Sequence, residues 1–205
     1  MSLFSEGEQD RIAAAIAEAE RNTSGEIVAV VAAESASYLH VPVVVAALVA
    51  LLVPWPLVYF TWWPVQWIYA AQLAVFALLL LTLLSRQVRF ALVPRGVKHQ
   101  RAHRRAVEQF LAQNLHTTAG STGVLIFLSV AERYAEVLAD QRINSRVPPG
   151  TWQAIVDELT AGIAAGRAAD ALIAAISSVG GLLAAHFPPG STDRNELPNH
   201  LIVLE

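Results

Sequence analysis

The longest apolar stretch of the chain is long enough to cross a membrane twice. Residues 35–85 contain no Asp, Glu, Lys or Arg, and residues 41–84 are almost wholly apolar. A bilayer core about 30 Å thick is spanned by roughly 20 helical residues. The pattern therefore predicts two transmembrane helices, near residues 41–60 and 65–84, with residues 61–64 turning between them.

Aromatic residues and prolines gather around the predicted turn. Four of the five tryptophans lie there, Trp55, Trp62, Trp63 and Trp67, together with Tyr59, Phe60 and Tyr69. Such amphipathic rings are typical of the boundary between membrane and water. Proline removes a backbone donor and kinks helices, and Pro54 and Pro56 lie inside the first span. We therefore expect the first helix to bend after Val53.

Basic residues follow the second predicted span and set its orientation. Half of the 14 Lys and Arg residues lie within a short stretch after residue 85, namely Arg86, Arg89, Arg95, Lys98, Arg101, Arg104 and Arg105. The positive-inside rule places this flank, and hence both termini, in the cytoplasm. The prediction is a multi-pass protein of the bacterial inner membrane. The flank could also attract anionic lipid headgroups, although a topology signal on a solvated helix is the simpler interpretation.

The soluble sequence on either side of the hairpin has the pattern of one α/β domain. A capping box at Ser5 and Glu8 predicts a helix to about Arg21, and the apolar run from residue 26 to 33 predicts a buried strand. The later elements are a helix at 97–115, strands at 124–128, 134–139 and 201–204, and helices at 151–166 and 168–186. The strand at 134–139 is expected to run antiparallel to the one before it.

These elements predict a layered α/β sandwich with a mixed sheet, interrupted after its first strand by the membrane hairpin. Because residues 1–40 offer one helix and one strand, they must fold together with residues 86–205 to bury that strand. The expected organisation is thus a domain in two parts, 1–40 and 86–205, separated by a hairpin at 41–85. A soluble protein with a buried hairpin is the alternative, but only Gln66 and Gln72 would supply a polar stripe.

The amino-acid composition limits the classes of function that the chain can have. Charged residues make up 15 % of the chain, against roughly a quarter in soluble domains. The net charge of −3 gives no sign of nucleic-acid binding. The absence of cysteine excludes disulfides, thiolate metal sites and a thiol nucleophile.

The soluble sequence resembles the TPM domain family. The resemblance lies in ordered motifs: Thr23-Ser24-Gly25-Glu26-Ile27-Val28, Leu115-His116-Thr117-Thr118, Thr122 to Ser129, Ala131-Glu132-Arg133, Leu138-Ala139-Asp140, Trp152, His186-Phe187-Pro188 and Asn195-Glu196-Leu197-Pro198. It implies a compact domain with helices on both faces of a mixed sheet. Some family members are acid phosphatases, some bind calcium and others act as accessory subunits of membrane complexes. In those family members an acidic turn precedes the second strand. The corresponding residues here are Ser121-Thr122-Gly123, which include no acid.

Three sets of residues are candidates for chemistry. Asp140, Asp193 and Glu196 could supply oxygen ligands for Ca²⁺ or Mg²⁺, although capping and turn roles are the simpler explanation of these residues. His99 and His103 are four residues apart, a spacing that can chelate a transition metal, but their neighbours are arginines. Ser121, His116 and Asp140 could form a nucleophilic triad, but no nucleophile elbow surrounds the serine.

The sequence therefore favours a non-enzymatic accessory or scaffold protein over an enzyme. We expect its α/β domain to bind another membrane protein at the cytoplasmic face, and the family resemblance suggests a LemA-type partner. The alternative is a phosphomonoesterase that uses a divalent ion at Asp140 and Glu196. Lipid sensing through the basic flank is a third option. Because the apolar spans carry no Asp, Glu, Lys or Arg, an ion pathway within them is not expected.

Overall fold

The computed structural model describes residues 4–36, 38–118, 120–189 and 197–204. These residues form two compact units, one made of residues 1–35 and 99–205 and the other of residues 36–98. The first unit is an α/β domain, and the second is helical.

The α/β domain is built on a four-stranded mixed sheet. Its strands are β1 (Glu26–Ala32), β2 (Gly123–Ser129), β3 (Tyr134–Ala139) and β4 (Leu201–Leu204), arranged in the order β3-β2-β1-β4. β1 pairs in parallel with β2 on one side and with β4 on the other, and β2 pairs antiparallel with β3. The predicted strands and the antiparallel pairing of β3 are confirmed.

Helices cover both faces of the sheet. One face packs against α1 (Glu6–Glu20), α8 (Thr151–Ala164) and α9 (Ala168–His186), and its core contains Ile12, Ile126 and Ile176. The other face packs against α6 (Arg95–Ala112), where Ala102 and Ala106 are fully buried. β1 and β2 are buried along their whole length because both faces are covered.

Local sequence signals account for several helix boundaries. α1 begins after the predicted capping box, in which the Ser5 amide donates to Glu8 and the Glu8 amide donates to the Ser5 hydroxyl. Two short helices were not predicted, α5 (Arg86–Leu92) and α7 (Gln141–Asn144). Each has seven residues or fewer, too few to show a helical repeat of apolar positions.

The helical unit contains the predicted hairpin. Its helices are α2 (His40–Leu52), α3 (Pro54–Phe60) and α4 (Val65–Leu83), and α4 packs against α2. The helix is interrupted at Val53, between the end of α2 at Leu52 and the start of α3 at Pro54, which is where we expected a bend. The aromatic residues of the turn are strongly exposed, Trp62 completely so.

Three helical segments in the described residues are long and apolar enough to span a membrane: residues 40–60, α4 and α9. α9 differs from the other two because a larger share of it is buried inside the protein. It packs against α1 and α8, and its residues Leu172, Ile176 and Leu183 belong to the domain core. The apolar character of α9 is therefore explained by the core of the α/β domain.

Candidate functional site

Asp140 lies where β3 ends and α7 begins, and it is bonded to the start of β2. Its amide donates to the Gly123 carbonyl at 3.0 Å, and its carboxylate accepts the Gly123 amide at 3.3 Å. These two bonds hold the ends of β2 and β3 together. The Asp140 carboxylate thus has a structural partner in the backbone.

Two arginines and one aromatic ring lie close to this strand end. Arg142 donates to the Gly120 carbonyl at 2.7 Å, and Arg146 donates to the His186 carbonyl at 3.0 Å. Both guanidinium groups face the Phe187 ring, at 5.8 and 4.9 Å from its centre. We call Gly120, Gly123, Asp140, Arg142 and Arg146 the Asp140 region.

The predicted metal site remains a prediction. Asp193 and Glu196 lie outside the described residues, so their distance from Asp140 is not defined. Among the residues that the structure describes, no three His, Cys, Asp or Glu side chains form a metal-binding group. The side chains of Arg86 and Arg89 also lie outside the described part of the chain, whereas Arg95 and Arg104 are exposed.

The two histidines of α6 have different neighbours. His103 Nδ1 lies 2.9 and 3.0 Å from the two carboxylate oxygens of Glu136 on β3. The His99 ring packs against the Tyr134 ring at a centroid distance of 5.2 Å. Tyr134 donates its hydroxyl to Glu136 at 2.9 Å. Burial, and then the Glu136 charge, raise the pKa of Tyr134 above its ordinary value. The histidines therefore connect α6 to β3.

The proposed triad is not assembled. Ser121 and His116 are both exposed, and among the described residues no hydrogen bond joins either of them to Asp140. Ser121 has a left-handed backbone, with φ of 49°. The next residue, Thr122, is buried and donates its hydroxyl to the Ser24 carbonyl at 2.9 Å. The turn before β2 is held in place by backbone contacts.

An open groove runs along β3, which lies at one edge of the described sheet. One wall contains Tyr134 and Glu136, and the other contains Trp152, Gln153 and Asp157 of α8. We call this the β3 groove. At Arg133 and Thr160 it meets a more apolar cavity lined by Leu128, Ile163 and Ala164. The groove offers an unpaired strand edge together with apolar, aromatic and charged side chains.

Comparison with known families identifies the chain. A model of the TPM domain matches residues 79–182, a little over half of the sequence, from the end of α4 into α9. The chain belongs to the TPM domain family. Comparison with curated proteins gives no match.

A solved structure supports the same fold for this TPM protein. The NMR structure of the BA42 protein from the psychrophilic bacterium Bizionia argentinensis is similar, with a TM-score of 0.62 and 19 % sequence identity. The alignment covers 98 % of this chain and 96 % of that chain. At this identity the likeness concerns the fold alone.

Two buried carboxylate sites of the TPM domain were missed by sequence reasoning. Glu132 is 4 % exposed and accepts the Ser35 amide at 3.0 and 3.1 Å, as well as the Ser129 hydroxyl. We call these three residues the Glu132 cluster. Ser35 is the last residue of the first unit before the hairpin. The cluster therefore fixes the chain where it leaves the sheet. The burial of Glu132 could not be predicted from the sequence, because the residue stands directly before Arg133.

The second site is at the other end of β1. Glu20, at the end of α1, accepts the Ile27 amide at 2.8 Å, and Glu26 is 7 % exposed. Burial is the main cause that raises the pKa of Glu20, and the nearby Glu26 charge adds to it. Hydrogen bonds from the Ile27 amide and from the Asn199 side chain act in the opposite direction, and the resulting pKa is about 7. The sequence predicted only that Glu20 lies near the end of the first helix, and the packing of α1 against the sheet makes it half-buried.

Proposed function

We propose that this TPM protein is anchored in the inner membrane by its helical hairpin and acts as an accessory protein for another membrane protein. The observation that carries the proposal is the pair of apolar helices inserted between β1 and β2. Residues 40–60 and 65–83 have the length and hydropathy of membrane spans. Most of their large apolar side chains are exposed, and water would make that exposure unfavourable.

The position of the insertion supports cytoplasmic placement of the domain. β1 precedes the hairpin and β2 follows it, yet the two strands pair along their whole length. The polypeptide must therefore return to the side of the membrane from which it entered. With the basic residues Arg95, Lys98, Arg101, Arg104 and Arg105 after the second span, the positive-inside rule assigns that side to the cytoplasm.

The β3 groove is the surface that we assign to the partner. β3 is an edge strand, and its outward backbone groups can pair with an extended segment of another chain. Trp152 and Tyr134 offer apolar contact area, while the exposed Asp157 favours a basic residue in that segment. We propose an extended, basic segment of an integral membrane protein as the occupant, and the family resemblance makes a LemA-type protein the first to examine.

Site-directed photo-crosslinking in intact cells tests this assignment. A photoreactive residue at Gln153, in the groove, should capture one integral membrane protein, whereas one at the exposed Ala14 of α1 should not. Charge reversal by Asp157→Lys should reduce the capture, and the matched Asp10→Lys on α1 should leave it unchanged. Equal capture from both positions, or indifference to Asp157→Lys, would contradict the groove as the docking surface.

A further inference from the structure

The helical unit contains a groove that differs from the rest of its surface. The groove lies where α4 packs against α2 and is lined by Ala47, Ala50 and Leu51 of α2 and by Gln72, Leu73 and Phe76 of α4. Ala46 and Ala50 of α2 and Ile68 of α4 are buried in the helical unit. The small side chains of α2 leave room there for another helix to approach closely.

Two polar side chains line this groove, the exposed Tyr69 and Gln72, and Gln72 carries the amide. It is half-buried, and within the part of the chain that the structure describes its amide forms no hydrogen bond. It is the eighth residue of α4, so it lies about 10 Å along the helix from Val65. In the proposed bilayer position this depth is within the hydrocarbon, where an unsatisfied amide is costly. Gln66, by contrast, is close to the start of α4 and reaches the interface.

We infer that the hairpin self-associates through this groove, with Gln72 of two copies forming reciprocal hydrogen bonds. A glutamine amide is self-complementary, because it carries both a carbonyl acceptor and an NH₂ donor. A two-fold axis through the groove presents the same residues from both chains. The second copy therefore supplies the missing hydrogen-bond partner and covers the apolar groove. This inference rests on the proposed membrane insertion and extends it.

Disulfide trapping tests the inference in the full-length protein, which contains no cysteine of its own. Leu73→Cys places a thiol in the groove, and Leu78→Cys places one about 140° around the same helix. The two leucines have similar exposure, 68 % and 64 %. Catalysed oxidation in native membranes should give a disulfide-linked dimer for Leu73→Cys and little or none for Leu78→Cys.

The contribution of Gln72 is measured in the Leu73→Cys background. Gln72→Leu should lower the dimer fraction about three- to tenfold, the range expected for a polar contact between membrane helices. The matched Gln66→Leu should leave it unchanged. Equal crosslinking at Leu73 and Leu78, indifference to Gln72→Leu, or a crosslink from Leu73 to a different protein would each overturn the inference.

Membrane integration is measured in the same samples by resistance to alkaline extraction. If the protein is integrated and Leu73→Cys yields no dimer, self-association is wrong while the membrane anchor stands. If the protein is extracted as a soluble or peripheral protein, both the anchor and the self-association are overturned. The two failures are therefore distinguishable.

Discussion

At the scale of single residues, several carboxylates of the α/β domain accept hydrogen bonds from backbone amides. Glu20 accepts a hydrogen bond from the Ile27 amide near the start of β1, and Glu132 accepts one from the Ser35 amide just beyond the end of β1. Asp140 has the same kind of role, because it accepts the Gly123 amide. Each of these side chains satisfies a backbone donor that the sheet itself leaves unpaired.

Glu20 should make the stability of the domain depend on pH. Its folded pKa of about 7 lies above the ordinary value of 4.5, so the folded state holds this proton more tightly than the unfolded state. The corresponding stabilisation is complete below pH 4.5 and is lost as the pH rises through 7. Glu20→Gln, which retains the acceptor for Ile27, should raise the free energy of unfolding at pH 8 by about 1–2 kcal/mol.

Thermal unfolding of the detergent-solubilised protein at pH 5 and pH 8 measures this effect. The variant and the parent should have similar stability at pH 5 and diverge at pH 8. The matched Glu18→Gln removes an exposed carboxylate of the same helix and should not change the pH dependence. A parallel pH profile for parent and Glu20→Gln would contradict the assignment.

Removal of the Glu132 carboxylate should destabilise the domain. Glu132→Ala leaves the Ser35 amide and the Ser129 hydroxyl without their acceptor in a buried site, which costs about 1–3 kcal/mol. Chemical denaturation measures the loss. Glu158→Ala, on the exposed side of α8, serves as the control and should change stability by less than about 0.5 kcal/mol.

Asp140→Asn tests the enzymatic alternative. If the Asp140 region is structural, any phosphomonoesterase activity of the purified protein should be the same before and after the substitution. Calorimetric titration with Ca²⁺ to millimolar concentration should likewise give the same heat for the parent protein and for Asp140→Asn. A saturable calcium signal or a hydrolysis rate lost in the variant would establish the divalent-ion site instead.

At the scale of elements, the contact between α1 and α9 depends on one glycine. A Cβ added at Gly180 would lie 2.6 Å from Ala19 Cβ, whereas one added at the neighbouring Gly181 meets open space. From the sequence alone, the Gly180-Gly181 pair suggests that α9 packs closely on the sheet. In the structure, the close approach at Gly180 is to α1. The reason is that α1 lies beside α9 on the same face of the sheet.

The two glycines form a matched pair for a stability measurement. Gly180→Ala should destabilise the domain by about 1–3 kcal/mol, because the helices must move apart or strain. Gly181→Ala should be neutral or stabilise it by up to about 1 kcal/mol, because alanine favours the helix and meets no neighbour. Equal effects of the two substitutions would show that the helices are not packed as described.

At the scale of the whole molecule, the membrane proposal predicts opposite accessibility for the turn and the domain. Because the chain lacks cysteine, single thiols can be introduced without background. Trp62→Cys, in the fully exposed turn, should react with an impermeant reagent added outside intact spheroplasts. Glu158→Cys, on α8, should react only in inverted vesicles. Labelling of both from the same side would contradict the hairpin topology.

Local patterns account for most of the elements. The capping box of Ser5 and Glu8 predicts the start of α1. Pro54 separates α2 from α3, and the β-branched residues of β1 indicate a strand. The short helices α5 and α7 were missed because a few residues carry no periodic signal. Contacts such as His103 with Glu136 could not be predicted, since they join residues that are 33 positions apart.

The sequence by itself determined the features that depend on neighbouring residues: the two long apolar helices, the basic segment that follows them, and the periods that define helices and strands. Tertiary structure alone decided which strands are neighbours, including the parallel pairing of β4 with β1. It also decided which carboxylates are buried and which glycine tolerates no side chain. The reason is physical: periodicity and hydropathy are properties of a continuous segment, whereas burial, pKa shifts and hydrogen-bond partners arise from residues brought together across the whole chain.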